Sequence, residues 1–223
     1  CAAITAREKG AAVTLFESAP ENMRGGNTRH TRNLRASHAE PLETLEDSYT
    51  EDEFWDDILK VTHGNTDETL TRLMIRQSPL LLSWLKARDV HFQPALSGTL
   101  SLHRTNAFFL GGGKTLLNKL YSHAEKIGVS VIYDSEVTSV AISNNRAHSI
   151  DVTTATDTKT YGIKHLIAAS GGFQANEDWM REAWGEKADN FLIRGTPHNR
   201  GTLLKTLIES GAQTVGDPTQ CHA

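Results

Sequence analysis

Ala12-Val13-Thr14-Leu15-Phe16-Glu17 is the stretch on which the fold turns. Five residues that suit a short buried strand end in a carboxylate, and Ser18-Ala19-Pro20 then turns the chain. Before them, Cys1 to Lys9 has helical composition, and Gly10 closes it as glycine closes a helix C-terminus. Helix, strand and terminal acid form the second half of a dinucleotide-binding βαβ unit. There the acid accepts hydrogen bonds from ribose hydroxyls, and a glycine-rich turn about 20 residues earlier approaches the pyrophosphate. Counting back from Glu17 puts that turn before Cys1, so the chain is expected to lack the phosphate-binding turn and the first strand. A strand that happens to end in Glu is the competing reading of this segment alone.

Downstream, Thr50 and Glu53 make a capping-box pattern ahead of Phe54, Trp55, Ile58 and Leu59, which predicts a helix over residues 51–62. Glu43, Glu46, Asp47, Glu51, Asp52, Asp56 and Asp57 read as its solvated acidic surroundings. From Thr66, the residues Leu70, Leu73, Met74, Leu81, Trp84 and Leu85 recur at helical spacing and read as core, with Ser78-Pro79 starting a second helix. A third helix is expected over residues 115–127, stopped by Gly128, and a strand over residues 129–133. Three alternating segments, near residues 137–142, 147–153 and 159–163, predict an antiparallel meander. His165-Leu166-Ile167-Ala168-Ala169 reads as a buried strand ending at Ser170-Gly171-Gly172, where another backbone or a ligand can come close. Helices near residues 176–184 and 202–210 flank a loop through residues 196–201. No repeat or linker divides the chain, so one domain is expected.

Gly111-Gly112-Gly113-Lys114-Thr115 imitates the end of a phosphate-binding loop at a helix N-terminus. A loop of that kind needs glycine where Phe108 stands, so the run reads as a tight turn instead.

With 38% hydrophobic and 22% charged residues and a net charge of -4, the 223-residue chain has ordinary globular balance and no field to draw it to nucleic acid. No apolar run reaches the roughly 18 residues of a membrane span, and residues 1–9 lack signal-peptide order, so a cytoplasmic location is expected. Cys1 and Cys221 stand far apart in sequence, and ten histidines fall into no short ligand spacing. Neither a structural disulfide nor a metal site is expected.

Glu17, then Gly25-Gly26-Asn27-Thr28, then Ala168-Ala169-Ser170-Gly171-Gly172-Phe173 resemble, in that order, the fumarate reductase and succinate dehydrogenase flavoprotein family. The runs from Arg24 to Arg35 and from Phe108 to Lys114 look like its tricarballylate dehydrogenase branch. The resemblance implies an α/β fold: an FAD-binding Rossmann-like domain with a small antiparallel β-meander, lacking the first strand and the capping domain. It implies a partial FAD-binding domain over residues 1–223, with a helical insertion about residues 40–128, the meander about residues 137–163, and a connection to the capping domain about residues 217–223.

By the same resemblance Glu17, Gly25, Gly26, Asn27, Thr28, Arg32, Asn33 and Leu34 line the FAD. Val137 touches adenine through its backbone, and Ala169, Ser170, Gly171 and Thr196 close over the cofactor. Arg200 stands where many relatives carry an acid. His222 and Arg35 are the implied substrate ligands, Arg35 ranking ahead of Arg29 and Arg32, because guanidinium and imidazole groups suit carboxylates. No residue of this chain is the implied proton-transfer group. The implied reaction of the intact protein is oxidation of tricarballylate to cis-aconitate with FAD as hydride acceptor and an unidentified electron acceptor after it; the isolated segment is expected to lack turnover. A fumarate reductase-like enzyme, a flavoprotein of cobalamin synthesis, and a degenerate remnant that binds a nucleotide or partner remain the alternatives.

Overall fold

The computed structural model describes residues 1–95 and 101–219. In chain order the elements are α1 (Ala2–Glu8), β1 (Thr14–Phe16), β2 (Asn33–Arg35), α2 (Glu51–Thr62), α3 (Glu68–Lys86), β3 (Asn106–Phe108), α4 (Gly112–Lys126), β4 (Ser130–Ile132), β5 (Glu136–Ser143), β6 (Arg146–Thr153), β7 (Thr158–Gly162), α5 (Glu177–Trp184) and α6 (Thr202–Glu209). They fall into two units, Cys1–Asn27 with Ala124–Ala223, and Thr28–His123. No helix of the described residues is long and apolar enough to cross a membrane.

In the first unit β1 pairs in parallel with β4, Leu15 opposite Val131, and the Glu17 amide extends the ladder by donating to the Ile132 carbonyl at 2.9 Å. Glu17 is thereby fixed at the strand end. β5, β6 and β7 form an antiparallel sheet. Asn144 and Asn145, at φ 50° and 56°, make the two-residue turn between β5 and β6 with the left-handed geometry that such hairpins need. One face of this sheet packs Val140, Ile150 and Val152 against Leu203 and Leu207 of α6, with Phe16 and Tyr161 at the margin. The other face is stitched by hydroxyls: Asp151 accepts from Ser139 and Thr160, both at 2.6 Å. A register irregularity between Val137 and Ser139 puts two successive polar residues, Thr138 and Ser139, in reach of β6 partners.

Residues 165–169 are not the buried strand that their composition predicts. Ile167 is 65% exposed, and no strand among the described residues pairs with the segment. An apolar run becomes a strand when a neighbouring edge accepts its amides and carbonyls, and here none does.

In the second unit β2 and β3 pair antiparallel, and Tyr49, Phe54 and Ile75 form the core with Trp55 and Ile58 around it. The Thr50 hydroxyl accepts the Glu53 amide at 3.2 Å and starts α2 where the capping pattern puts it. Ser78-Pro79 does not start a new helix: α3 runs unbroken through it. Proline removes the amide that would bond the carbonyl of Ile75, and two hydroxyls replace it, Ser78 at 2.7 Å and Ser37 at 3.2 Å. The apolar stripe of α3 is only partly the predicted one, in which Leu85 is buried as expected. Ile75, Ser78, Leu82 and Leu85 are buried, whereas Leu70, Leu73, Met74 and Leu81 are 37% to 65% exposed. A helix apolar around much of its girth offers more than one stripe at 3.6-residue spacing, and the inward one is chosen by its neighbours.

The glycine run that opens α4 is a close-packing device. The Gly113 amide donates to the Thr31 carbonyl at 2.8 Å, and a Cβ at Gly113 would stand 2.1 Å from the Thr28 carbonyl oxygen.

Candidate functional site

The site of the first unit grows from the end of β1. Glu17 accepts the Ala19 amide on Oε1 at 3.1 Å and the Gly25 amide on Oε2 at 3.0 Å. The carboxylate thus ties both ends of the intervening loop to the strand, bringing Gly25-Gly26 back beside it. The carboxylate stands at the strand end, the place at which an acid of this kind of unit meets a ribose.

Arg24 reinforces that loop. Its Nη1 donates to the Tyr133 hydroxyl at 2.6 Å and to Glu21 at 3.3 Å, and the Tyr133 hydroxyl donates to Glu125 at 3.2 Å. Burial raises the Tyr133 phenol above its ordinary pKa, with the Arg24 hydrogen bond pulling the other way.

Asn27 joins this loop to one 169 residues later. Its Oδ1 accepts the Thr196 amide at 2.8 Å, and Thr196 is 6% exposed. Next to Thr196 lies the turn of Asn199, whose carbonyl accepts the Ala175 amide at 2.9 Å. Gly171, at φ +74°, rests on the Asn199 side chain so closely that a Cβ would meet Oδ1 at 2.7 Å. The Asn199 side chain also borders Gly26, whose Cβ position lies 3.8 Å from Oδ1. Of the residues expected to line the cofactor, the structure therefore brings Glu17, Gly25, Gly26, Asn27, Gly171 and Thr196 into one connected cluster. Ala169 and Ser170 lead into it as exposed chain. Val137 sits at the β5 irregularity, with its side chain against the apolar cluster of the sheet.

The other expected residues belong to the second unit. Thr28 and Arg32 lie in the loop before and beside β2, where the Arg32 carbonyl accepts the Phe109 amide at 2.9 Å. Asn33 and Leu34 pair with Phe108 and Ala107. Arg35 is engaged locally: its Nη1 donates to Asp57 at 3.2 Å and to the Tyr49 hydroxyl at 3.3 Å. Tyr49 in turn donates to Asp57 at 2.8 Å, and its phenol is raised well above the ordinary range, first by burial and then by that bond. Nearby, burial and the Arg104 charge depress His38. His222 lies outside the described residues.

Sequence reasoning passed over Arg24, Tyr133 and Asn199. Arg24 directly precedes the glycine pair, a signal that was available. Asn199 lies in the loop that the resemblance puts beside the cofactor, but what singles it out is the two glycines that pack on it from distant segments.

The family described as FAD binding domain matches residues 1–222. The chain belongs to that family. FAD is accordingly its cofactor, and the cluster fits the assignment. Gly25 and Gly26, at φ +93° and +54°, form a turn of the kind that suits anions, with the Gly25 amide held by Glu17 and the Asn199 side chain bordering Gly26. The chain is 26% identical to the NADH:fumarate oxidoreductase of Klebsiella pneumoniae (strain 342), over 96% of this chain and 23% of that protein. Its fold resembles the open conformation of a flavocytochrome c3 fumarate reductase, at TM-score 0.79 and 21% identity, covering 95% of this chain and 38% of that one. It equally resembles 3-ketosteroid-Δ4-(5α)-dehydrogenase from Rhodococcus jostii RHA1, at TM-score 0.80 and 18% identity, covering 95% and 51%. The chain thus spans less than a quarter of the curated relative that it matches.

Proposed function

We propose that this chain is the cofactor-binding part of an FAD-dependent dehydrogenase that oxidises a carbon–carbon bond flanked by carboxylates, with tricarballylate as substrate and cis-aconitate as product. The observation that carries the reading is the Asn27 to Thr196 hydrogen bond, because it assembles the paired-glycine loop, Gly171 and the late loop in one unit of a chain whose family binds FAD. The sequence between Arg24 and Arg35 supports the choice of substrate by its resemblance to the tricarballylate dehydrogenase branch.

FAD, when bound, supplies the hydride acceptor. Glu17 anchors the loop and accepts from the ribose. The Gly26 and Asn27 segment offers amide donors to the diphosphate, and Asn27 keeps its Nδ2 donors after Oδ1 is taken by Thr196. Arg35, in the second unit, is the proposed carboxylate ligand: a planar guanidinium with one nitrogen held by Asp57 and Tyr49 has further N–H groups for a substrate.

Anaerobic mixing of the full-length holoprotein with tricarballylate tests this reading. Bleaching of the flavin absorbance with matching formation of cis-aconitate is expected. An oxidised flavin in tricarballylate that is rapidly bleached by succinate rejects it. The 26% identity to an NADH:fumarate oxidoreductase favours one second reading, fumarate reduction, in which fumarate reoxidises the reduced protein and tricarballylate has no effect.

A further inference from the structure

We propose that Asn199 is a further cofactor-positioning residue, its side-chain amide donating a hydrogen bond to the diphosphate of bound FAD. The proposal rests on the reading that the clustered loops of the first unit line the cofactor. Asn199 is 9% exposed, yet no donor or acceptor among the described residues reaches its side-chain amide. The amide atoms are not fully enclosed, so a ligand can reach them.

The surroundings say which partner. A Cβ at Gly171 would stand 2.7, 2.9 and 2.9 Å from Oδ1, Cγ and Nδ2 of Asn199, so Gly171 packs against the face of the amide. Oδ1 is on the side of Gly26, which leaves the Nδ2 donors as the free edge. The main chain is held, since the Asn199 carbonyl accepts from Ala175 and the next carbonyl, of Arg200, accepts from the Asn176 side chain at 3.1 Å. The amide is therefore presented rather than swinging. A free donor edge beside glycine turns with φ of +54° and +74° calls for an anionic oxygen, because backbone amides in such turns form anion-binding concavities. In FAD that oxygen belongs to the diphosphate.

The test uses the full-length protein stripped of flavin and titrated with FAD, followed by quenching of flavin fluorescence. Asn199→Asp keeps the shape and replaces the donor by a negative charge; Asn199→Ala removes the donor without charge. Asn199→Ala should weaken FAD binding about 10-fold, the order of a hydrogen bond to a charged group. Asn199→Asp should weaken it about 100-fold or more, and its deficit should shrink as salt rises, because salt screens like-charge repulsion. Thermal unfolding of the flavin-free variants separates this from misfolding, and Asn199→Ser replaces any variant that fails to fold. FAD affinity within about twofold of wild type in both the Ala and the Asp variants overturns the proposal. Should Asn27→Asp weaken FAD while both Asn199 variants match wild type, the loop cluster stands and the Asn199 assignment alone falls. Equal FAD affinity in wild type and all variants, including Asn27→Asp, sinks the underlying reading as well.

Discussion

Replacing Asn27 by alanine removes the acceptor that holds the Thr196 amide at 2.8 Å, across 169 residues of sequence. Thr196 is buried, so water does not readily replace the lost partner. A buried donor left unsatisfied costs about 1–3 kcal/mol. For a chain of this size that lowers the urea midpoint of the flavin-free protein by roughly 0.5–1 M. Asn27→Asp returns an acceptor oxygen to the same place and should keep the unfolding free energy within about 0.5 kcal/mol of wild type. Its charge, however, enters the proposed diphosphate site, so FAD affinity should fall further than in Asn27→Ala. Urea unfolding followed by circular dichroism measures the first quantity, and flavin fluorescence the second. An alanine variant as stable as wild type, or an aspartate variant as unstable as the alanine one, refutes the reasoning that this bond anchors the late loop.

Gly113→Ala should destabilise the second unit by about 1–3 kcal/mol or more in chemical unfolding, because the new methyl group meets the Thr28 carbonyl, which as backbone moves little. Ser78→Ala should cost about 1–2 kcal/mol, while adding Pro79→Ala to it restores the amide that Ile75 lacks and recovers part of the loss; a double variant less stable than Ser78→Ala contradicts the explanation of α3. Tyr49 gives a pH dependence. Its phenol is raised in the folded state, so above about pH 10 the unfolded chain sheds a proton that the folded chain keeps, and stability declines. Tyr49→Phe should flatten that alkaline decline in unfolding measured from pH 8 to 11, and an unchanged slope assigns the decline to other groups.

Local features were legible in the sequence because their causes are local. Glu17 ends β1 and returns the glycine pair, Thr50 caps α2, and the Asn144-Asn145 pair turns the first hairpin of the meander. What sequence reasoning lost depends on distant partners. Residues 165–169 have strand composition but, among the described residues, no edge to pair with, and composition does not report edges. Ser78-Pro79 looks like a helix start because the rescue of the Ile75 carbonyl comes partly from Ser37, 38 residues earlier. The exposed stripe of α3 was chosen from several by spacing alone. In the site, the glycines announced close approach, but not that Gly171 would lie on Asn199.

The location of FAD in crystals of the full-length holoprotein tests the central claim most directly. The account predicts the diphosphate within hydrogen-bonding distance of the Gly26 and Asn27 amides and beside Gly171, with the adenosine ribose at Glu17. A cofactor whose diphosphate lies away from these three segments contradicts it.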